Sequence, residues 1–193
     1  MPKNSTILII RHGEKPANGA DLTPAGLARA AAYIRFFENY PPGGTTPLTV
    51  DYVFSAANSS ASCRPQLTIA PFAATHGLPI NDTYADTDFA QLAKYITGGG
   101  YDNSTLLICW HHEEALDLAG SLGVDPTKLP SSANWPASWP GGPAPTPDVY
   151  GWVLQIVYDS NGAVDTTQTF CTSEQLMYDD YGQEPPDGTS SGS

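Results

Sequence analysis

Thr6-Ile7-Leu8-Ile9-Ile10-Arg11-His12-Gly13-Glu14 is the stretch that decides the fold. Residues 6–11 read as a strand that is apolar on both sides, as a central strand of a covered sheet must be. It ends by delivering an arginine and a histidine, side by side, into a loop containing glycine. That pairing suits one kind of chemistry. A neutral imidazole nitrogen can attack phosphorus in line and carry the phosphoryl group. A guanidinium fork matches phosphate oxygens and stays cationic at any working pH. His12 is therefore the candidate nucleophile and Arg11 the first part of a phosphate clamp.

Working outward, Thr23-Pro24 is a helix start, with Thr23 as N-cap and Pro24 in the first turn. The helix runs to about Asn39, with Leu27, Ala30, Ala31, Ile34 and Phe37 on one face. Val50–Ala56 is a second strand. Cys63-Arg64-Pro65 opens a helix that reaches His76, and residues 89–96 form a short one. Ser104–Trp110 is a third strand, and a helix follows from His111. Val149–Tyr158 and Thr166–Cys171 read as a late antiparallel pair about an Asn161-Gly162 turn. Residues 125–148, rich in Pro, Ser and Trp, read as a long surface loop. Strands alternate with helices up to residue 120. The expected class is therefore α/β, three layers with helices on both faces of a mostly parallel sheet. One domain over residues 1–182 and a polar, disordered tail over 183–193 account for the chain.

Ligands of such folds gather at the carboxyl ends of the strands. Three segments bring reactive residues there: Arg11-His12, Arg64 and His111-His112. Arg64 at a helix start adds backbone N–H donors to its own charge. A second imidazole, His111 or His112, suits a further phosphate oxygen. The formal net charge of −12, with only eight Lys and Arg, repels nucleic acid and anionic membranes at long range. It makes Arg11, Lys15 and Arg64 conspicuous as the supply of positive charge for a small phosphorylated substrate. There is no phosphate-binding loop of the nucleotide type and no metal-ligand spacing, so neither a metal nor another cofactor is expected. Cys63, Cys109 and Cys171 are too widely spaced for a zinc pattern or a disulfide framework. With no apolar leader and no membrane span, a cytoplasmic enzyme is the default expectation, a trimmed secreted form remaining open. The oligomeric state is not readable.

Arg11-His12-Gly13-Glu14 after a first strand resembles the signature of the histidine phosphatase superfamily, the phosphoglycerate-mutase-like fold. Asp21-Leu22-Thr23-Pro24-Ala25-Gly26 is similar to that family's "LT-x-x-G" helix start. Ser55 with Arg64-Pro65-Gln66-Leu67-Thr68 is similar to its second-arginine segment. Leu106–Trp110 followed by His111-His112 is similar to the strand that delivers its second histidine. The resemblance covers about residues 5–171.

The resemblance implies a phosphomonoester hydrolase with His12 as nucleophile and Arg11, Arg64 and His112 around the phosphate. His112 rather than His111 aligns with the "CW-x-H" ending of small members. For the proton donor it leaves several carboxyls. The mutase-type segment, here residues 78–103, offers Asp82, Asp86 and Asp88. The position after the second histidine offers Glu113 or Glu114, and Glu14 follows the nucleophile directly. Glu113 and Glu14 rank first. The short 78–103 segment argues against a mutase, which must retain and reorient its product. A phosphate-binding or sensing protein with little turnover is the alternative.

Overall fold

A computed structural model describes residues 1–41, 46–125, 129 and 150–177. The expected 125–148 loop and 183–193 tail therefore fall almost wholly outside the described residues. The elements are β1 (Ser5–Arg11), α1 (Pro24–Glu38), β2 (Tyr52–Ser55), α2 (Arg64–His76), β3 (Ile80–Asn81), a 3-10 turn (Asp86–Asp88), α3 (Phe89–Thr97), β4 (Thr105–Trp110), α4 (His112–Ser121), β5 (Trp152–Tyr158) and β6 (Phe170–Ser173). They build a six-stranded sheet in the order β3-β2-β4-β1-β5-β6. The β1–β4, β2–β4 and β2–β3 pairs are parallel, while β5 runs antiparallel to β1 and β6 antiparallel to β5. The α/β class and the mostly parallel sheet are thus as expected, and so is the late antiparallel pair. The two-residue strand β3 has no counterpart in the sequence reading. It is too short to leave a periodic signal.

β1 is central because nothing in it needs water. Ile7 through Ile10 are each fully buried, and their alternation divides the core in two. Ile7 and Ile9 join Leu106, Ile108 and Trp110 under α3 and α4. Leu8 and Ile10 join Leu107 and Cys109 under α1 and α2. Successive strand side chains point to opposite faces, so one apolar run feeds both layers of helix. The three cysteines are free thiols, Cys109 and Cys171 being buried. No helix among the described residues is long and apolar enough to cross a membrane.

α1 is rotated from its expected setting. Its buried face is Gly26, Arg29, Ala30, Tyr33, Phe36 and Phe37, while Leu27 is 54% exposed. Hydrophobic spacing selects Leu27 and Ala31, but two polar demands override it. Gly26 has to meet the loop after β1, and Arg29 has to reach a carboxylate in that loop.

Candidate active site

β1 and β4 run parallel and in register, with Arg11 beside Trp110. The His12 amide extends the ladder by bonding the Trp110 carbonyl at 3.0 Å. The next residue on each strand is a histidine. The His12 and His111 rings consequently meet edge to face, their centroids 5.0 Å apart. Arg11 and His12 are both buried. The Arg11 guanidinium carbon lies 4.2 Å from the centre of the Tyr150 ring, a cation–π arrangement that orients the fork. That same ring stands 6.0 Å from His12.

His12 Nδ1 lies 2.6 Å from the Gly13 carbonyl oxygen. A carbonyl only accepts, so Nδ1 carries the proton and Nε2 the lone pair. The His12 pKa is lowered to about 3. Burial is the main cause, Arg11, His111 and Arg64 push the same way, and the Gly13 bond opposes them. The His111 pKa is also lowered, first by burial and then by Arg64 and Arg11, against an opposing pull from Asp86. Both rings are therefore neutral near pH 7. The same influences show that Arg11, Arg64, Asp86 and the two histidines belong to one electrostatic cluster.

Arg64 is the first residue of α2. Its Nη1 donates to the Gly19 carbonyl at 2.9 Å. Its Nε is buried without a hydrogen-bond partner among the described residues. His111 is the N-cap of α4 and His112 the first residue of that helix. The resemblance aligned His112 with the second histidine of the pocket; the observed ring contact with His12 belongs to His111. The signal that could have found it is the strand register, since both histidines directly follow paired strands.

The loop after β1 is held by backbone contact. A Cβ on Gly13 would lie 3.0 Å from the Gly26 carbonyl oxygen, and one on Gly26 would lie 2.7 Å from the Glu14 oxygen. At Gly26 a side chain would force the backbone apart, and at Gly13 it would need the Gly26 backbone to yield by a few tenths of an ångström. Thr23 completes the joint. Its amide donates to the Glu14 carbonyl at 2.9 Å, and its hydroxyl accepts from the Gly26 amide at 3.1 Å. The "LT-x-x-G" resemblance therefore has a physical meaning: it docks the start of α1 on the loop that carries His12.

Glu14, one of the two carboxyls ranked first as proton donor, is held by Arg29. Its carboxylate is buried against Arg29, with Arg29 Nη2 2.6 Å from Oε1 and Nε 3.1 and 3.2 Å from the two oxygens. Both oxygens are engaged by one guanidinium, which leaves this carboxyl badly placed to donate a proton to a leaving group. Arg29 also reaches Glu174 at 2.9 Å, and the Tyr33 hydroxyl lies 2.9 Å from both Glu174 oxygens. Burial, with Glu174 adding to it, raises the Tyr33 pKa well above its usual value, so the phenol remains a donor. Sequence reasoning missed this cluster because Arg29 and Glu174 are 145 residues apart.

Glu113 is the second residue of α4, and its side chain lies outside the described part of the structure. Of the mutase-type carboxyls, Asp82 is exposed and accepts from Gln66 at 3.0 Å. Asp86 is half-buried, and its charge acts on His111. The Trp110 indole donates to the Asp86 carbonyl at 3.0 Å, and Ala57 donates to the Tyr84 carbonyl at 2.7 Å. These two bonds hold the 84–88 segment across the ends of β2 and β4. Among the described residues no three His, Cys, Asp or Glu side chains gather into a metal-binding set. An open cleft of about 460 Å³ between Tyr84, Tyr95 and Lys94 includes none of the expected site residues.

No family model matches the sequence, and no curated protein matches it significantly. Solved structures do match. A phosphoserine phosphatase mutant from Entamoeba histolytica in complex with phosphoserine superposes with a TM-score of 0.52 at 13% identity, over 90% of this chain and 99% of that one. Phosphoglycerate mutase from Plasmodium falciparum gives 0.51 at 10% identity, over 84% and 88%. A protein assigned as the phosphohistidine phosphatase SixA of Agrobacterium tumefaciens gives 0.51 at 13%, over 83% and 95%. The chain has the phosphoglycerate-mutase-like fold.

In this phosphoglycerate-mutase-like chain the carboxyl ends of the parallel strands β2, β4 and β1 lie side by side. The segments brought together there are Arg11-His12, Arg64 and His111-His112. Tyr150, which the reading did not single out, joins them under Arg11, and so does Asp86, one of the mutase-type carboxyls, whose charge acts on His111.

Proposed function

We propose that this protein is a phosphomonoester hydrolase that works through a phosphohistidine on His12. The observation that carries the reading is the state of His12: a neutral imidazole with Nδ1–H tied to a carbonyl, in a cluster with Arg11, Arg64 and His111. Names of solved structures with this fold, two phosphatases among those above, agree with it.

In the proposed reaction Nε2 attacks phosphorus as the bond to the leaving oxygen breaks. Arg11 and Arg64 take the non-bridging oxygens and neutralise the charge that spreads over them. His111 and His112, at the N-terminus of α4, complete that surround with backbone N–H groups. The leaving oxygen needs a proton. Asp86 is our candidate donor, because Glu14 is engaged by Arg29 whereas Asp86 acts on His111. Water then attacks the phosphohistidine as the N–P bond breaks and gives its proton to the Asp86 carboxylate, which releases inorganic phosphate and restores both the neutral imidazole and the Asp86 acid. Positioning and fixed positive charge suffice for such a transfer.

The test is hydrolysis of p-nitrophenyl phosphate in EDTA. Folded protein is expected to turn the ester over, and His12→Ala to lose activity on the order of 10³-fold or more. Labelled phosphate should be trapped as an acid-labile adduct in wild type only. A folded protein with no turnover from acid to neutral pH, or one that works equally well as His12→Ala, would overturn the reading. Asp86→Asn should lower the rate with alkyl leaving groups much more than with p-nitrophenolate, which departs without help.

A further inference from the structure

Gly13 is bonded on both sides. Its carbonyl accepts from His12 Nδ1 at 2.6 Å, and its amide donates to Thr68 Oγ1 at 2.8 Å. Thr68 is fully buried and lies on α2, one turn beyond Arg64. Its own hydroxyl proton goes to the Arg64 carbonyl at 2.8 Å. A threonine bonding the carbonyl four residues back is ordinary in a helix. A second bond to an amide 55 residues away is not.

A hydroxyl has one proton and two lone pairs. With the proton on the Arg64 carbonyl, the oxygen is left to accept, and the Gly13 amide fills one of its lone pairs, with the Cys109 thiol as a further hydrogen-bond neighbour. The run from Gly13 through Thr68 to Arg64 therefore has a single polarity. It fixes the peptide joining His12 to Gly13. The Gly26 backbone packs closely against the same glycine.

We infer that Thr68 is a positioning residue for His12, acting through Gly13 to hold the imidazole as the Nδ1–H tautomer with Nε2 facing the substrate. The same hydroxyl ties the loop of the nucleophile to the helix that carries Arg64. This role rests on the reading of His12 as nucleophile, but its structural part is open to measurement without any turnover.

The variant is Thr68→Val, which keeps the shape and removes the hydroxyl, and the rescue is Thr68→Ser. Nitrogen-15 NMR of histidine-labelled protein reads the tautomer. Wild type and Thr68→Ser should show a protonated Nδ1 and a bare Nε2 on His12. Thr68→Val should show mixed tautomers. Its single-turnover formation of phosphohistidine should slow by about 10- to 100-fold, with KM within about twofold of wild type. A Thr68→Val protein that keeps both the single tautomer and the wild-type rate overturns the inference. So does a wild-type protein with the proton on Nε2. Should Thr68→Val fail to fold, wild type decides: a Gly13 amide slow to exchange together with the Nδ1–H tautomer supports the role, and a fast one overturns it. Failure of the phosphatase reading would show separately, as hydrolysis that survives His12→Ala.

Discussion

Charges are used in two ways on either side of the loop from His12 to Glu14. Behind the loop, Arg29 is enclosed by Glu14 and Glu174, with Tyr33 closing the cluster. In front, Arg64 leans on a backbone carbonyl and makes no ion pair among the described residues. The Arg11 guanidinium lies over the Tyr150 ring. A guanidinium matched by carboxylates locks structure, because separating the pair leaves a buried charge alone. One that rests on a backbone carbonyl keeps much of its field for an incoming anion. His12 and Glu14, separated by Gly13 alone, thus lie on either side of the division between reacting and holding.

Removing the rear cation is the strongest way to break this contrast. Arg29→Met should cost about 3–5 kcal/mol of stability, since it strands two buried carboxylates. Urea unfolding measures it, and a loss well under that range would mean that the cluster holds little. In front, Arg64→Gln should leave unfolding almost unchanged and lower kcat/KM about 10²- to 10³-fold. If the two substitutions exchanged their effects, the division of roles would be wrong.

pH sharpens the comparison next. The folded pKa of His12 is about 3, against an ordinary 6.5, so the folded state refuses a proton that the unfolded chain accepts below about pH 6.5. This stabilising contribution is complete above that pH. It is lost on acidification at about 1.4 kcal/mol per pH unit until the folded pKa is passed. His111, lowered in the same direction, adds to the slope. Urea midpoints of wild type and His12→Asn should therefore converge as the pH falls toward about 4. Parallel curves would contradict a neutral, buried His12. A bound phosphate should pull the His12 pKa upward, visible as a shifted NMR titration.

The smallest effect concerns the joint between α1 and the loop. Thr23→Ala removes the N-cap bond to Gly26 and should cost about 1 kcal/mol. Because the Thr23 hydroxyl also lies 3.3 Å from the Glu14 carbonyl, a modest fall in kcat should accompany it. Thermal unfolding and steady-state rates report the two parts.

The reading of Thr6–Gly13 succeeded because a run buried on both faces has few places to go, and the centre of a covered sheet is the simplest. The Thr23-Pro24 start of α1 was legible for a similar reason: capping is local, and the cap geometry is the one expected, with Thr23 accepting from Gly26. What failed was the face of the same helix. Leu27 and Arg29 exchange the places that hydropathy assigns them, because burying Arg29 between two carboxylates depends on Glu174, far along the chain. Likewise, nothing local ranks His111 against His112 or puts the Tyr150 ring under Arg11.

The sequence by itself determined the alternation of strand and helix, the central strand with Arg11 and His12 at its carboxyl end, and the helix that starts at Arg64, all of which follow from periodicity and from short-range stops and starts. Tertiary structure alone decided which histidine faces His12, that Glu14 holds the loop, and that Thr68 links the loop to α2. Each of those depends on the register of paired strands or on a polar contact spanning many residues. Such contacts are selected by the need to satisfy buried polar groups together, and that need exists only once the layers have packed.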